Sequence, residues 1–210
     1  MSDHMDASTP YNGAITREQF LVRETRVVAQ LKADENLTNE QIVERVTRLN
    51  LFHYPTEREL KSISKACCRR LGALSDDPAT RDALVQLIAH GMPEEVRQAN
   101  LYALMRTFRV AWEFMVTVVG PHYRSFDPSL PRRDIASFLE QLRTQDERVA
   151  GWSDATMNKI RQVLTAALIE CAMYDRKTEM LQPVFLGVSL EQGIRANGDE
   201  VCLPAFNCLI

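Results

Sequence analysis

The chain has 210 residues, of which 45% are hydrophobic and 25% charged, and its formal net charge at pH 7 is −3. These values are typical of a soluble globular protein, and the length suits one large domain or two small ones. The slightly acidic balance excludes nucleic-acid binding through overall positive charge, so any such contact requires a local basic patch.

Residues 1–14 are predicted to be a flexible lead-in, with Pro10 and Gly13 as helix breakers. The helices after it begin at a recurring pattern, a Ser or Thr followed three residues later by Glu or Gln, which satisfies the free N–H groups of a first turn. Apolar residues then recur at intervals of three and four, as on the buried side of a helix. The pattern predicts helix starts at Thr16/Gln19, Thr38/Gln41 and Thr56/Glu59.

The stretch 56–74 divides most clearly into an apolar and a basic side. Upstream, residues 38–49 form a shorter amphipathic helix and residues 50–55 a turn, so the three segments have the outline of a helix-turn-helix. At about 100° per residue, the apolar side holds Leu60, Ile63, Cys67, Leu71 and Leu74, and the other side Arg58, Lys61, Ser62, Lys65 and Arg69.

Cations on one accessible helix face are what phosphate binding needs, because such groups supply most of the affinity in protein–DNA contacts. Arg70 adds a positive charge to the same helix, in which only Glu57 and Glu59 are acidic. The alternative is an ordinary solvated helix face. The pattern predicts DNA contacts from Arg58, Lys61, Ser62, Lys65, Arg69 and Arg70.

The middle of the chain is predicted to contain the core. Residues 78–90 read as a helix that Gly91 ends, and Pro93 begins a long apolar helix that reaches Val119 and ends at Gly120-Pro121. The stretch 120–131 contains three prolines and is the best candidate for a linker. The predicted domains are therefore 15–119 and 132–210.

In the C-terminal part, residues 132–149 are predicted to be helical, and Ser153 is predicted to cap a helix that runs to about residue 173. The exposed side of that helix carries amide and basic groups suited to base edges in a major groove, which predicts a second helix-turn-helix-like element. The alternative is a polar surface with nothing bound. Beyond Pro183, residues 184–188 and 201–203 read as short strands of a wing or as an extended tail. The candidates are Asn158, Lys159, Arg161, Gln162 and Thr165, with Arg132 and Arg133 as a backbone clamp.

Signatures of catalysis and of metal or cofactor binding are missing from the sequence. It has no phosphate-binding or dinucleotide-binding glycine motif, and no nucleophile elbow or zinc-protease motif. The five cysteines lack zinc or disulfide-framework spacing, which indicates a reduced compartment. The polar first ten residues lack a signal peptide's apolar core, and Arg106, Arg109 and Glu113 interrupt the longest apolar run. We expect a non-enzymatic cytoplasmic protein without cofactor, metal or membrane contact.

Three stretches carry a resemblance to a known family. They are residues 11–16 (YNGAIT) followed by a helix with Glu24, residues 50–52 (NLF) leading to the Arg/Lys-rich helix with Arg69-Arg70-Leu71, and Trp152-Ser153 with Thr156. In these, up to about residue 180, the chain resembles the BrxA family of bacteriophage-exclusion (BREX) defence systems.

The resemblance implies a small, all-helical, non-enzymatic protein with a shape likened to the NusB antitermination factor. It also implies double-stranded DNA binding through helix-turn-helix elements, and work beside a methyltransferase, an ATPase and an alkaline-phosphatase-like protein. The site residues above come from helical projection and not from the family.

Together, these patterns predict an all-α, multi-helix globular bundle with two helix-turn-helix-like elements. We expect a monomeric, cytoplasmic, duplex-DNA-binding component of a phage-defence complex. Two alternatives remain: a scaffold that bridges defence proteins without touching nucleic acid, and an RNA-binding, NusB-like module.

Overall fold

The computed structural model describes residues 9–208. Within that range α-helices dominate and the sheet is a single antiparallel pair of short strands, which confirms the all-α prediction. Of the predicted flexible lead-in, residues 1–8 lie outside the described part. The described residues form two compact units: unit I comprises Leu21–Thr107 and Gly187–Asn197, and unit II comprises Phe108–Leu186 with residues 9–20 and 198–208.

The helices range from single turns to 17 residues in α4 and α11. In chain order the elements are α1 (Ile15–Glu18), α2 (Val22–Glu35), α3 (Asn39–Leu49), α4 (Glu57–Ala73), α5 (Pro78–His90), α6 (Pro93–Thr107), α7 (Arg109–Phe114), a π-helix (Met115–Val119), α8 (Gly120–Arg124), α9 (Arg132–Gln145), α10 (Glu147–Ala150), α11 (Asp154–Glu170), β1 (Tyr174–Asp175), β2 (Met180–Leu181), α12 (Val188–Ala196) and a 3-10 helix (Glu200–Phe206).

Unit I is built around α6, whose residues 98–106 are all buried. Its buried Arg106 is satisfied by donating from Nε to the Ala73 carbonyl at 2.6 Å, near the end of α4. α12 packs against α5 at Gly193, where a Cβ atom would lie 2.6 Å from Cδ2 of Leu84. A side chain at 193 would force Leu84 to move, so α12 is fitted closely to unit I although it comes much later in the chain.

Unit II holds the segment before α1 against α7. The guanidinium of Arg109 stacks over the Tyr11 ring at 4.2 Å and donates from Nε to the Glu113 carboxylate at 2.6 Å. The Tyr11 hydroxyl donates to the other Glu113 oxygen, and burial together with this bond raises the pKa of Tyr11. The prediction of flexibility up to residue 14 is therefore wrong at Tyr11, which is buried.

The predicted helix starts have different outcomes. Thr38 and Gln41 form the complete reciprocal capping box, and Thr56 caps α4, as predicted. Thr16 does not begin a helix: it lies inside α1, and its hydroxyl donates to the Gly13 carbonyl. Residues 19 and 21 then have positive φ, which no helix continues through, so the predicted single helix becomes α1 and α2.

The predicted central helix 93–119 is interrupted. At Phe108 the backbone is extended, with φ −129° and ψ 111°, and units I and II divide there instead of at the predicted linker 120–131. Gly120-Pro121 does not end the helix either, because Pro121 lies in the first turn of α8, which directly continues the π-helix. The π-helix precedes this turn, with Gly120 N–H bonded to the Met115 carbonyl.

The end of the described chain is only partly as predicted: residues 184–187 form neither helix nor strand, in keeping with an extended tail, whereas residues 188 and 201–203 are helical. Residues from 188 form α12, and residues 200–206 form a 3-10 helix. Within α12 the buried residues are Leu190, Gly193 and Ile194, and their i, i+3, i+4 spacing is that of one face of a helix. The two strands found within residues 9–208 lie earlier, where Tyr174 pairs with Leu181.

Candidate nucleic-acid interface

α4 is fixed at its first turn and along one side. The Thr56 hydroxyl accepts from the Glu59 N–H at 3.2 Å and donates to the Glu59 carboxylate. The helix cannot rotate without exposing its apolar side, so its opposite face is held toward solvent. The buried side is the predicted one: Leu60, Ile63, Cys67, Leu71 and Leu74.

The exposed side of α4 carries the predicted cations, while Ser62 beside them is only half-exposed. Lys61 Nζ lies 3.0 Å from a Glu57 oxygen, one helical turn away. An exposed pair of this kind is weak and screened by salt, so it can exchange for a phosphate. Exposure meets the first requirement of the DNA-binding prediction, which stays a prediction. We call the four exposed cations the basic face: Arg58, Lys61, Lys65 and Arg69.

Arg70 does not belong to the basic face, and its prediction as a DNA contact is wrong. Its side chain is fully buried, with 0% of its surface exposed. Arg70 lies three residues after Cys67, on the side of α4 that packs into unit I. Burial raises the pKa of the Cys67 thiol to about 12, and the nearby Arg70 charge opposes that rise. A guanidinium held there contacts the interior and cannot reach a phosphate.

The connection between α3 and α4, residues 50–56, is longer than the three or four residues of a typical helix-turn-helix. Asn50 has a left-handed backbone, and its side chain both accepts from and donates to the backbone of Tyr54. The Tyr54 hydroxyl in turn donates to Glu24 on α2 at 3.2 Å. Burial and the Glu24 charge raise the pKa of Tyr54 to about 12. The connection is therefore a fixed loop, which holds α4 against α2 and α3.

A cavity of about 710 Å³ lies between α3 and α4, and we call it the α3–α4 groove. Its floor contains Val43, Thr47 and Cys68. The Thr47 hydroxyl donates to the Val43 carbonyl at 2.7 Å, so it is already satisfied within its own helix. Burial raises the pKa of the Cys68 thiol to about 11, which keeps it neutral at pH 7. The floor is therefore uncharged.

The two walls of this groove carry opposite charges over much of their length. Glu40 and Glu44 lie on α3, and the Glu40 charge contributes to the raised pKa of Cys68 at the floor. Projection of α4 alone missed this wall, although the four-residue spacing of its members was readable from the sequence. The α3 wall is Glu40, Glu44 and Arg48, and the α4 wall is Glu57, Lys61, Lys65 and Arg69.

α11 begins at the predicted cap, where the Ser153 hydroxyl accepts from the Thr156 N–H. Three of its candidate side chains are engaged within the helix: Arg161 donates to the side-chain Oδ1 of Asn158 at 3.0 Å, and the Thr165 hydroxyl donates to the backbone carbonyl of Arg161. Asn158 and Gln162 are exposed, whereas Lys159, Arg161 and Thr165 are half-buried. Base reading by α11 stays a prediction.

Arg132 and Arg133 are both exposed at the start of α9. Arg132 is engaged by the β1–β2 hairpin: its Nε lies 2.9 Å from a Glu179 oxygen, and its Nη2 donates to the Arg176 carbonyl. Arg133 lies 3.7 Å from Asp134. The pair therefore supports local structure, with Arg133 the more exposed of the two. These residues and the α11 candidates belong to unit II, whereas the basic face belongs to unit I.

Two further properties concern the part of the chain that the structure describes. No group of three or more His, Cys, Asp or Glu residues there is arranged to hold a metal ion. No helix within residues 9–208 has both the length and the apolar character needed to cross a bilayer.

The family of the chain follows from comparison with known proteins. The sequence model of the BrxA family matches residues 9–198. The chain belongs to the BrxA family.

Relatives in the BrxA family match over most of their length. A protein of Bacillus cereus (strain H3081.97) named "BREX protein BrxA" is 28% identical, covering 91% of this chain and 93% of the relative. A protein of the same name from Paramagnetospirillum magneticum (strain AMB-1) is 25% identical, and the alignment covers 97% of this chain and 100% of the relative. A crystal structure of an uncharacterized protein from Magnetospirillum magneticum shares the fold, with a TM-score of 0.76 and 24% sequence identity. The match covers 94% of this chain and 98% of that one.

Proposed function

We propose that this BrxA-family chain is a non-enzymatic component of BREX phage defence that binds double-stranded DNA. The place in the defence system is supported by the relatives named "BREX protein BrxA", which align with 91% and 97% of the chain. The DNA-binding part rests on the chain's own residues and on the implication of the family resemblance.

The observation that carries DNA binding is the basic face of α4. Four cations extend from one side of a helix whose other side is buried and whose start is capped. From Arg58 to Arg69 the helix rises about 16 Å, at 1.5 Å per residue. Cations arranged along a rigid rod can meet several phosphates of one duplex without ordering flexible backbone, which lowers the entropic cost of binding.

Such contacts make binding strongly dependent on salt. Each phosphate neutralised on B-DNA contributes a slope of about −0.9 to the plot of log affinity against log salt concentration. With three or four contacts from the basic face, we expect a slope of roughly −3. Preference for duplex over single strands is also expected, because single-strand sites rely on stacking aromatic side chains.

The test is fluorescence anisotropy with a labelled duplex and the matching single strand, at two salt concentrations. The variant K61E/K65E/R69E should lose at least about 100-fold in duplex affinity, from lost contacts and new repulsion, while keeping its helical circular-dichroism spectrum. Arg124, Arg148 and Lys177 are exposed cations of unit II, so R124E/R148E/K177E gives the same change in net charge elsewhere. Equal loss in both variants would mean that overall charge, and not the basic face, determines binding.

The resemblance implies partners as well, namely a methyltransferase, an ATPase and a phosphatase-like protein of the same cytoplasmic system. Co-purification of the chain with each protein, from cells that express them together, tests this part of the proposal. Sedimentation of the purified chain tests whether it is a monomer. Competition of duplex DNA against structured RNA separates DNA binding from the NusB-like alternative.

A further inference from the structure

The α3–α4 groove has the length of a short helix. Its α4 wall, from Glu57 to Arg69, follows one side of that helix for three turns, about 18 Å at 1.5 Å per residue. Its volume of about 710 Å³ falls within the range of sites that bury most of a ligand's surface. A groove between two packed helices is also a common docking place for a third, which lays its apolar face on the floor.

The floor of the groove favours an apolar occupant. Val43 is half-exposed, Cys68 is a neutral thiol, and the Thr47 hydroxyl is already bonded to its own helix. A polar group placed on this floor meets no charged side chain and few hydrogen-bonding partners. The free-energy cost of removing it from water is therefore not offset by new hydrogen bonds. Leucine-sized side chains bury their surface there, together with the aliphatic stems of the lysines on the α4 wall.

The charges on the walls select the type of helix. Lys61, Lys65 and Arg69 on α4 attract acidic side chains, whereas Glu40 and Glu44 on α3 attract basic ones. A uniformly acidic helix is repelled by the α3 wall, and a uniformly basic one by the α4 wall. We propose that the α3–α4 groove binds an amphipathic helix of a partner protein, with an apolar stripe flanked by acidic residues on one edge and basic residues on the other.

This occupant also competes with DNA. Lys61, Lys65 and Arg69 belong both to the groove wall and to the basic face, whereas Arg58 does not line the groove. A helix in the groove withdraws three of the four cations from phosphate contact. The competition with DNA depends on the proposed DNA binding, whereas binding of the partner helix to the groove does not depend on it.

Three labelled synthetic helices of about four turns test the groove in the full chain. All carry the same leucine stripe, and their edges are acidic/basic, acidic/acidic or basic/basic. Because a helix can dock in either direction, uniform edges are the informative controls, whereas exchanged edges are not. The mixed helix should bind about tenfold more tightly than either uniform helix. Absence of binding by the mixed helix, equal binding of all three, or tighter binding of a uniform one overturns the proposal.

A variant of the floor locates the site. Val43→Asp places a charge under the apolar stripe and should weaken the mixed helix about tenfold. Gln86 is exposed on α5, so Gln86→Asp makes the same charge change elsewhere and should have no effect. If Val43→Asp leaves binding unchanged, the groove is not the site; if it does not fold, comparison of the three helices on the unaltered chain still decides.

Arg58→Glu separates this inference from the DNA proposal. It should weaken duplex binding severalfold and leave the mixed helix unaffected. If no variant or condition shows duplex binding while the mixed helix still binds, the DNA proposal fails and the groove stands. The reverse result removes the groove and leaves the DNA proposal intact.

Discussion

α4 and α11 have the same length and the same kind of start, yet they present different surfaces. Each has 17 residues, a hydroxyl side chain as N-cap and one buried side. α4 exposes four cations, and its Lys61 pairs weakly with Glu57, whereas the Asn158 and Thr165 side chains of α11 bond within their own helix. Because phosphate contact needs exposed positive charge, α4 with its four exposed cations is the better candidate for it.

The largest effect should separate two neighbours in α4. Arg70→Ala removes a fully buried side chain and its charge, and should cost about 3 kcal/mol of unfolding free energy. Arg69→Ala, one residue earlier on the basic face, should change stability by less than about 0.5 kcal/mol and lower duplex affinity severalfold. Urea unfolding and duplex titration of both variants make the measurement. Similar stabilities would contradict the burial of Arg70.

A smaller change in stability concerns the loop before α4. Tyr54→Phe removes the hydrogen bond to Glu24, and should cost about 1 kcal/mol at pH 7. The pKa of Tyr54 is raised from 10.0 to about 12 in the folded protein. A group whose pKa is raised by folding stabilises the protein fully at pH values below its pKa in the unfolded chain. That stabilisation is lost as the pH rises through its pKa in the folded protein. The advantage of the unaltered chain over Tyr54→Phe should therefore shrink between pH 10 and 12, as urea unfolding can follow.

α11 should contribute less to affinity than α4. Replacing Asn158 and Gln162 together by Ala removes two exposed amides, one of them already bonded to Arg161. Affinity for a mixed-sequence duplex should fall less than about threefold, since base-edge contacts supply specificity and phosphate contacts most of the non-specific affinity. A loss equal to that of the basic-face variant would make α11 the main DNA-binding helix.

The smallest effect tests the ion pair between Lys61 and Glu57. Glu57→Gln frees Lys61 from its partner at 3.0 Å and should strengthen duplex binding about twofold, since exposed pairs are weak. The gain should disappear at high salt, where screening weakens both the pair and the phosphate contact. Weaker binding in this variant would show that Glu57 positions Lys61 instead of competing for it.

The sequence predicted α4 well because its signals are local. A Thr cap and apolar residues at helical spacing determine both where the helix begins and which side it buries. The same spacing places Arg70 on the buried side, three residues after Cys67 and four before Leu74. The sequence therefore contained the signal, and the prediction was wrong because it included Arg70 for its charge and not for its position on the helix. The acidic wall of Glu40 and Glu44 was missed because it belongs to another helix, and only packing brings the two together.

The break at Phe108 had no local signal. Neither proline nor glycine lies near it, and a continuous apolar pattern runs through it, so packing alone decides where α6 ends. α12 was missed for a related reason: much of its surface is exposed, and Gly193 lowers its helix propensity. Gly193 packs closely against Leu84 on α5. Leu84 lies more than a hundred residues earlier in the chain, so the local sequence around α12 gives no sign of this contact.

Because α12 belongs to unit I, that unit cannot be completed early in protein synthesis. Its first segment ends at Thr107, and Gly187–Asn197 follows only after most of unit II has been made. At 5 to 20 residues per second, the ribosome takes roughly 5 to 20 seconds to cover that interval. During this time the side of α5 around Leu84 lacks its covering helix, as do the Leu74 carbonyl and the Ser75 hydroxyl, which Asn197 later engages. A nascent chain stalled before residue 187 should therefore be more sensitive to protease in unit I than one released after residue 197.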